Sequence, residues 1–311
     1  MIELTDSSDL RIAVLGAGGM LGHKIYCVLS QEFRETYAVF RKCPARYAPF
    51  QIFAEKKMRG AFDARKLDSI DEYLQSINPD VVINCIGVTT RKLGTQNDSE
   101  IILVNSALPH KLKEWTQKNN RKLIHFSTDC VFSGKSGPYD LHSPRDAKDL
   151  YGQSKAIGEV EGKDVLTIRS SIIGRELEGR TELLEWFLSQ HGGNIKGYSN
   201  VFYSGVTTTT MAYVVLKLLK GGVEFAGIQQ LASEPISKFE LLSLANEIFE
   251  NKTLIEKVDQ PASNKVLKTS PYFNDHGIRP STWREQLCEV KKEFCKYERW
   301  LANVDKQHKA S

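Results

Sequence analysis

Two tyrosine-lysine pairs are spaced four residues apart, Tyr151/Lys155 and Tyr213/Lys217. On a helix that spacing stacks the two side chains one turn apart on one face. A free phenol has a pKa of about 10 and is a weak acid at neutral pH. A neighbouring ammonium favours the phenolate and brings the value down, so the pair can deliver a proton to a carbonyl oxygen during reduction. Context separates the two pairs. Tyr213 and Lys217 lie in the apolar run from Met211 to Leu219, where the tyrosine reads as helix packing and the lysine as a snorkelling side chain. Tyr151-Gly-Gln-Ser-Lys155 opens a helix after a polar loop and follows the strand-like Leu123-Ile-His-Phe-Ser127-Thr128-Asp129. A hydroxyl at that strand's end, Thr128 first and Ser127 next, can hydrogen-bond the reacting oxygen and orient it. The expected catalytic groups are Thr128, Tyr151 and Lys155, the last also reaching a cofactor ribose.

Reduction needs a hydride donor, and the amino-terminal end has a turn suited to one. Arg11-Ile-Ala-Val-Leu-Gly16-Ala-Gly18-Gly19-Met20-Leu21-Gly22 sets an apolar strand directly before a glycine-rich turn and an apolar helix. Glycines let backbone N–H groups approach a pyrophosphate, which then sits at the positive end of the helix. The G-x-G-x-x-G register would need glycine at Leu21; Gly16, Gly19 and Gly22 instead fit G-x-x-G-x-x-G, the register of short-chain dehydrogenase/reductase proteins. A structural turn without a ligand is the bland alternative. An NAD site places an acid about 20 residues on, at the end of the second strand. Here residues 36–40 run into Arg41 and Lys42, cations that suit the 2′-phosphate of NADP, or else a solvated loop pair. Asp63, next to Ala64, is placed to face the adenine or to cap a helix or turn.

The elements that must position these groups alternate strand with helix. Strands are expected at 11–15, 36–40, 81–85, 122–127 and 165–169, with helices at 20–29, 67–77, 100–118 and 150–161. This is the pattern of an α/β, Rossmann-type doubly wound parallel sheet, whose ligand crevice lies at the strands' carboxyl ends. After Gly174 the rhythm changes to helices at 181–190, 208–219 and 238–250, a strand at 227–232 and one docked final helix at 282–301. The expected division is a nucleotide domain over 1–175 and a smaller α/β substrate lobe over 176–311, which can return short segments to the sheet. Residues 185–190 and 196–205, rich in aromatics and amides, are candidates for a pocket wall or for plain packing.

Composition leaves room for this and removes other classes. At 311 residues, with 41% hydrophobic and 26% charged residues, the chain matches globular averages rather than disordered, collagen-like or coiled-coil ones. Roughly three quarters of the unfolded surface can be buried at this size, so the fold needs neither disulfide nor metal. Lys plus Arg at 42 against Asp plus Glu at 38 gives +4, too slight to imply nucleic acid or membrane without a local patch, and the local cluster is Arg41, Lys42 and Arg46. The amino terminus is acidic where a secretory signal would be basic, and no apolar run approaches the ~18 residues of a membrane span. Six scattered cysteines with no C-x-x-C pair suit free thiols in a reducing cytosol, so a cytoplasmic location and no metal site are expected.

Several blocks together resemble the extended short-chain dehydrogenase/reductases, specifically the dTDP-4-dehydrorhamnose reductase family. They are the glycine turn, Asn78-Pro-Asp-Val-Val-Ile-Asn-Cys85-Ile86-Gly87, Val104-Asn105, Ser127-Thr-Asp-Cys-Val-Phe-Ser-Gly134, Tyr151-Gly-Gln-Ser-Lys-Ala-Ile-Gly-Glu159 and Arg169-Ser-Ser-Ile-Ile-Gly174. The resemblance covers nearly the whole chain. It implies Thr128, Tyr151 and Lys155 as the triad, and NADPH as hydride donor held by the glycine turn with Met20 and Leu21, by Arg41, Lys42, Asp63 and Ala64, and by Cys85, Ile86, Gly87 and Asn105. It implies a nucleotide-linked 4-keto-6-deoxy sugar between the lobes, near Thr89, Ser127, Thr128, Asp129, Cys130 and Ile172, in a monomer or homodimer. The family usually carries aromatics where this chain has Cys130 and Ile172, which changes the sugar pocket's stacking surface. Relatives also imply two other readings: an NADP-binding regulatory subunit without catalysis, like the beta subunit of methionine adenosyltransferase, and an epimerase or dehydratase.

Overall fold

Ile12–Leu15, Val81–Asn84 and Val165–Arg169 are buried at every position, as strands covered on both faces must be. In the computed structural model, which describes residues 9–89 and 97–310, they form part of one sheet. Residues 1–8, part of the stretch compared with a secretory signal, lie outside the described residues. The first half runs β1 (Ile12–Leu15), α1 (Met20–Glu32), β2 (Thr36–Val39), β3 (Met58–Arg59), α2 (Ile70–Ile77), β4 (Val81–Asn84), α3 (Asp98–Ile102), α4 (Leu108–Lys118), β5 (Lys122–Ser127), α5 (Leu150–Ile157) and β6 (Val165–Arg169). The second runs β7 (Ile172–Ile173), α6 (Leu183–Leu188), β8 (Asn194–Tyr198), β9 (Val201–Tyr203), β10 (Val206–Thr207), α7 (Thr208–Lys220), β11 (Gly227–Gln230), β12 (Ile236–Ser237), α8 (Lys238–Phe249), β13 (Leu254–Val258), β14 (Ser263–Asn264), α9 (Pro271–Asp275), α10 (Trp283–Lys292) and α11 (Phe294–Ala310).

The central sheet has the order β11-β6-β5-β4-β1-β2-β3, and each of its pairings is parallel. Strand order reverses between β1 and β4, so a crevice opens above their carboxyl ends. One face is covered by α1 and α7, through Ile25, Leu29, Met211, Val215 and Leu218. The other packs on Leu74, Leu112 and Trp115 of α2 and α4. β11 and α7 belong to this layered body although both follow residue 175. Leu184, Phe187, Leu241, Trp283 and Leu287 form a separate core in the carboxyl-terminal half.

The helix expected at 150–161 ends at Ile157, and two other helical stretches differ in kind. The 98–118 stretch stays helical, but Leu103–Ala107 widens into a π turn that carries Asn105. The expected final helix breaks at Glu293 into α10 and α11. Apolar residues 283, 287, 290, 294, 297 and 301 keep an unbroken helical period, so the break comes from docking: α10 packs on the carboxyl-terminal core, whereas Tyr297 packs with Phe50 and Leu177.

Candidate active site

Past β1 the turn folds onto its neighbour strand, with the Gly16 and Ala17 amides donating to Val39 O at 3.1 Å each. Helix α1 then starts at Met20 with no side-chain cap and no acidic residue in its first turn. Its first N–H groups and the positive end of its dipole are left for an anion. A Cβ at Gly22 would lie 2.2 Å from Gly16 O, so the third glycine lets the helix sit on the turn. These features fit a dinucleotide pyrophosphate. The turn opens into a cleft of about 820 Å³ lined by Gly16, Gly19, Met20, Leu21, Arg41, Lys42, Asp63, Ala64, Cys85, Ile86 and Gly87. Gly22 is not among the lining residues; it acts from beneath.

Arg41 and Lys42 are exposed on the cleft rim. Beside them Arg46 makes two hydrogen bonds to Glu178, at 2.9 and 2.8 Å, and Tyr47 stacks on Phe40 with centroids 4.5 Å apart. Asp63 is clasped by Arg65, which also reaches Glu100. The Arg65 hydrogen bonds hold the Asp63 carboxyl down at about 2.

The catalytic candidates converge on the same cleft. Asp149 caps α5 through the Gly152 amide (2.9 Å), and a Cβ at Gly158 would lie 1.9 Å from Asn105 O. That glycine lets α5 lie directly on the π turn, which brings Tyr151 and Lys155 to the end of β5. Lys155 Nζ donates to Phe126 O at 2.6 Å. Thr128 Oγ1 accepts from the Cys130 amide and donates to Asp129, both at 3.1 Å, and Tyr151 lines the same cleft. Burial lowers the Lys155 ammonium to about 8 against the opposing charge of Glu159. Burial also raises the Tyr151 phenol, helped by Cys130 and opposed by Thr128. The expected lowering of Tyr151 by Lys155 is therefore corrected: desolvation of the phenol dominates, and Tyr151 is a fully protonated donor at neutral pH.

Two other expectations change. Ser127 lines the cleft, but its hydroxyl donates to Glu159 at 2.6 Å and so has no proton left for a substrate oxygen. Glu159 also takes two hydrogen bonds from Arg169 (2.8 and 2.7 Å) and one from Arg145 (3.0 Å), and Arg169 reaches Gln230 at 2.6 Å. Asn105 is fully buried behind the cleft, where its amide is used by both backbone groups of Val88 and by Ser154 Oγ. It braces the wall that a cofactor would touch.

The remaining wall includes Thr89, Asp129, Cys130 and Ile172, as expected, together with Glu176, Glu182, Tyr203 and Lys238. Thr89 donates to Glu182 at 3.2 Å. Of the 185–190 candidates, Glu185 pairs with Arg175 and Phe187 is core, while Tyr203 from the 196–205 segment reaches the cleft. Glu176, Glu182 and Lys238 carry no sequence signal, because only tertiary folding brings them to the site. Tyr213 is 57% exposed rather than packed, and Lys217 donates to Gly277 O, far in the fold from this cleft's residues. All six cysteines are unpaired, and no helix among the described residues is long and apolar enough to cross a membrane.

A seven-stranded parallel Rossmann sheet with a glycine turn at its switch point and a Tyr-x-x-x-Lys helix beside it defines an extended short-chain dehydrogenase/reductase. More narrowly, the chain belongs to the RmlD substrate binding domain family, whose sequence model matches residues 10–295. It is 27% identical over 304 residues to the spore coat polysaccharide biosynthesis protein SpsK of Bacillus subtilis (strain 168), covering 91% of this chain and 97% of that one. It is 24% identical over 313 residues to a dTDP-4-dehydrorhamnose reductase from Aggregatibacter actinomycetemcomitans, covering 90% and 98%. Among solved structures, a dTDP-4-dehydrorhamnose reductase from Bacillus anthracis str. Ames in complex with NADP superposes with a TM-score of 0.75 at 18% identity, covering 92% of this chain and 99% of that one.

Proposed function

We propose that the chain is an NADPH-dependent reductase of a nucleotide-linked 4-keto-6-deoxy sugar, with Tyr151 as proton donor. One observation carries this: Thr128, Tyr151 and Lys155 meet in a cleft that runs from an uncapped helix end and two rim cations. The names of the relatives support the substrate class. The glycine turn and α1 would hold the pyrophosphate, Arg41 and Lys42 the 2′-phosphate, and Lys155 the nicotinamide ribose. NADPH when bound supplies a hydride. Thr128 orients the substrate carbonyl oxygen, Tyr151 delivers the proton to it, and Lys155 in its ammonium form sustains the charge that remains on the phenolate. Glu182, Tyr203 and Lys238 complete the sugar side from the carboxyl-terminal half, consistent with residues 176–311 contributing the substrate lobe.

Purified protein should oxidise NADPH, followed at 340 nm, when given a nucleotide-linked 4-keto-6-deoxyhexose. Tight NADPH binding with no turnover of dTDP-, UDP- or GDP-linked 4-keto sugars would sink the reading.

The rim cations give a separate expectation. Replacing both Arg41 and Lys42 with alanine should weaken NADPH by at least about tenfold, the worth of one charge-assisted hydrogen bond, and leave NADH within about twofold. A wild-type preference for NADH in a kcat/KM comparison contradicts the assignment.

A further inference from the structure

We infer that the carboxyl-terminal helix α11 is a working part of the dinucleotide site, and that Tyr297 is a positioning residue for the glycine turn, acting through His23. The inference rests on the cofactor reading above and assigns it an element that lies almost wholly beyond the family match, which ends at residue 295.

His23 stands in the first turn of α1, one residue past Gly22, and is completely buried. Its Nδ1 lies 2.8 Å from the carbonyl of Gly19, and its Nε2 lies 2.6 Å from the Tyr297 hydroxyl. A carbonyl can only accept, so Nδ1 carries the proton and Nε2 accepts from the phenol. The hydrogen-bond chain has one polarity: Tyr297 O–H to His23, then His23 N–H to Gly19 O. Burial lowers the His23 imidazole to about 3, with the Gly19 bond opposing, so this neutral tautomer persists across the physiological range.

Gly19 occupies the N-cap position of the helix end offered to the pyrophosphate and brings no side chain to cap it. The Gly19 carbonyl accepts from both the His23 amide (3.1 Å) and the His23 imidazole, and fixing it fixes the peptide plane that carries the Met20 N–H, one of the donors at the open helix end. The imidazole thereby ties the turn to a helix from the far end of the chain. Three further contacts seat that helix. Lys24 of α1, 4% exposed, pairs with Glu293; Tyr297 packs with Phe50 and Leu177; and Arg175 reaches Glu298 at 2.7 Å. Phe50 belongs to the segment after Arg41 and Lys42, and Leu177 adjoins Glu178, the partner of Arg46. One helix therefore reaches the glycine turn through the His23 imidazole and packs on the segments that carry Phe50 and Leu177.

Tyr297→Phe removes only the hydroxyl and keeps the ring, leaving His23 Nε2 buried without a donor. By titration calorimetry the full-length variant should bind NADPH about tenfold more weakly than wild type and bind the nucleotide sugar unchanged. Val290→Ala is the comparator: it thins the neighbouring α10 core without touching His23, and should lower Tm while keeping NADPH affinity within about twofold. Coupling is reciprocal, so NADPH binding to wild type should slow amide exchange over residues 297–301. Wild-type affinity in Tyr297→Phe, an equal NADPH loss in Val290→Ala, or unchanged exchange in α11 each overturns the inference. Failure of wild type to bind NADPH overturns the cofactor reading instead.

Discussion

Tyr151→Phe should lower kcat by roughly 10²–10⁴-fold, the range for a positioned general acid, and leave NADPH affinity within about twofold. The substitution removes one oxygen from a ring already seated on α5, so packing and cofactor contacts persist. What disappears is the donor that lines the cleft together with Thr128. Burial keeps that phenol protonated well above neutral pH, which makes it ready to give a proton but leaves the resulting anion in need of a cation. Lys155 fills that need only as an ammonium. Its value of about 8 therefore sets an expectation for wild type: kcat declines as pH rises through about 8, and the decline vanishes with the residual activity of Lys155→Met. The same depression has a stability sign. Between about 8 and about 10.4 the unfolded chain keeps a proton that the folded chain has shed, so this group makes stability rise with pH across that window. A Tyr151→Phe enzyme with more than a tenth of wild-type kcat would show that another group delivers the proton.

How much of this was legible from sequence depended on the range over which each residue's role is set. β5 and β6 match expectation residue for residue, because continuous apolar runs between turns have one way to be buried. The glycine turn is legible for the same reason: strand, turn and helix are all local. Gly22 and Asn105 stand in motifs, yet their contacts are packing and bracing, since a motif marks a position without saying which atoms meet there. β3, β7, β9, β10, β12 and β14 span two or three residues each, too short for an alternation to register. The break at Glu293 and the approach of Lys238 and Glu182 to the cleft are set by contacts between distant segments, and no periodicity encodes them. Glu159 ends the Tyr151-to-Glu159 block, but its partners Ser127, Arg145 and Arg169 come from other elements, so its role emerges only with the fold.

That role carries the second large effect. Glu159→Gln should cost about 3–5 kcal/mol, the range for removing one partner of a buried ion pair, and lower Tm by roughly 5–8 °C at this chain length. The Arg169 guanidinium, 3% exposed, would keep Gln230 but lose the charge that compensates it. Burial alone pushes the Glu159 carboxyl up; the hydrogen bonds and charge of Arg169, with Ser127 and Arg145, outweigh burial and hold it down. Its contribution is therefore complete above the unfolded value of about 4.3 and is lost as pH falls through the folded one, so acid destabilises wild type more steeply than Glu159→Gln. A double variant, Glu159→Leu with Arg169→Met, separates packing from charge. Replacing both ions with apolar groups should recover most of the lost stability, because neither is then left buried alone. It should not recover the pH profile. The negative charge of Glu159 opposes the burial that lowers Lys155, so without it the alkaline decline of kcat moves below that of wild type in both variants. A double variant with wild-type Tm and a wild-type pH profile would mean that Glu159 serves the fold alone; recovery of Tm with a displaced limb ties the buried pair to the charge state of Lys155.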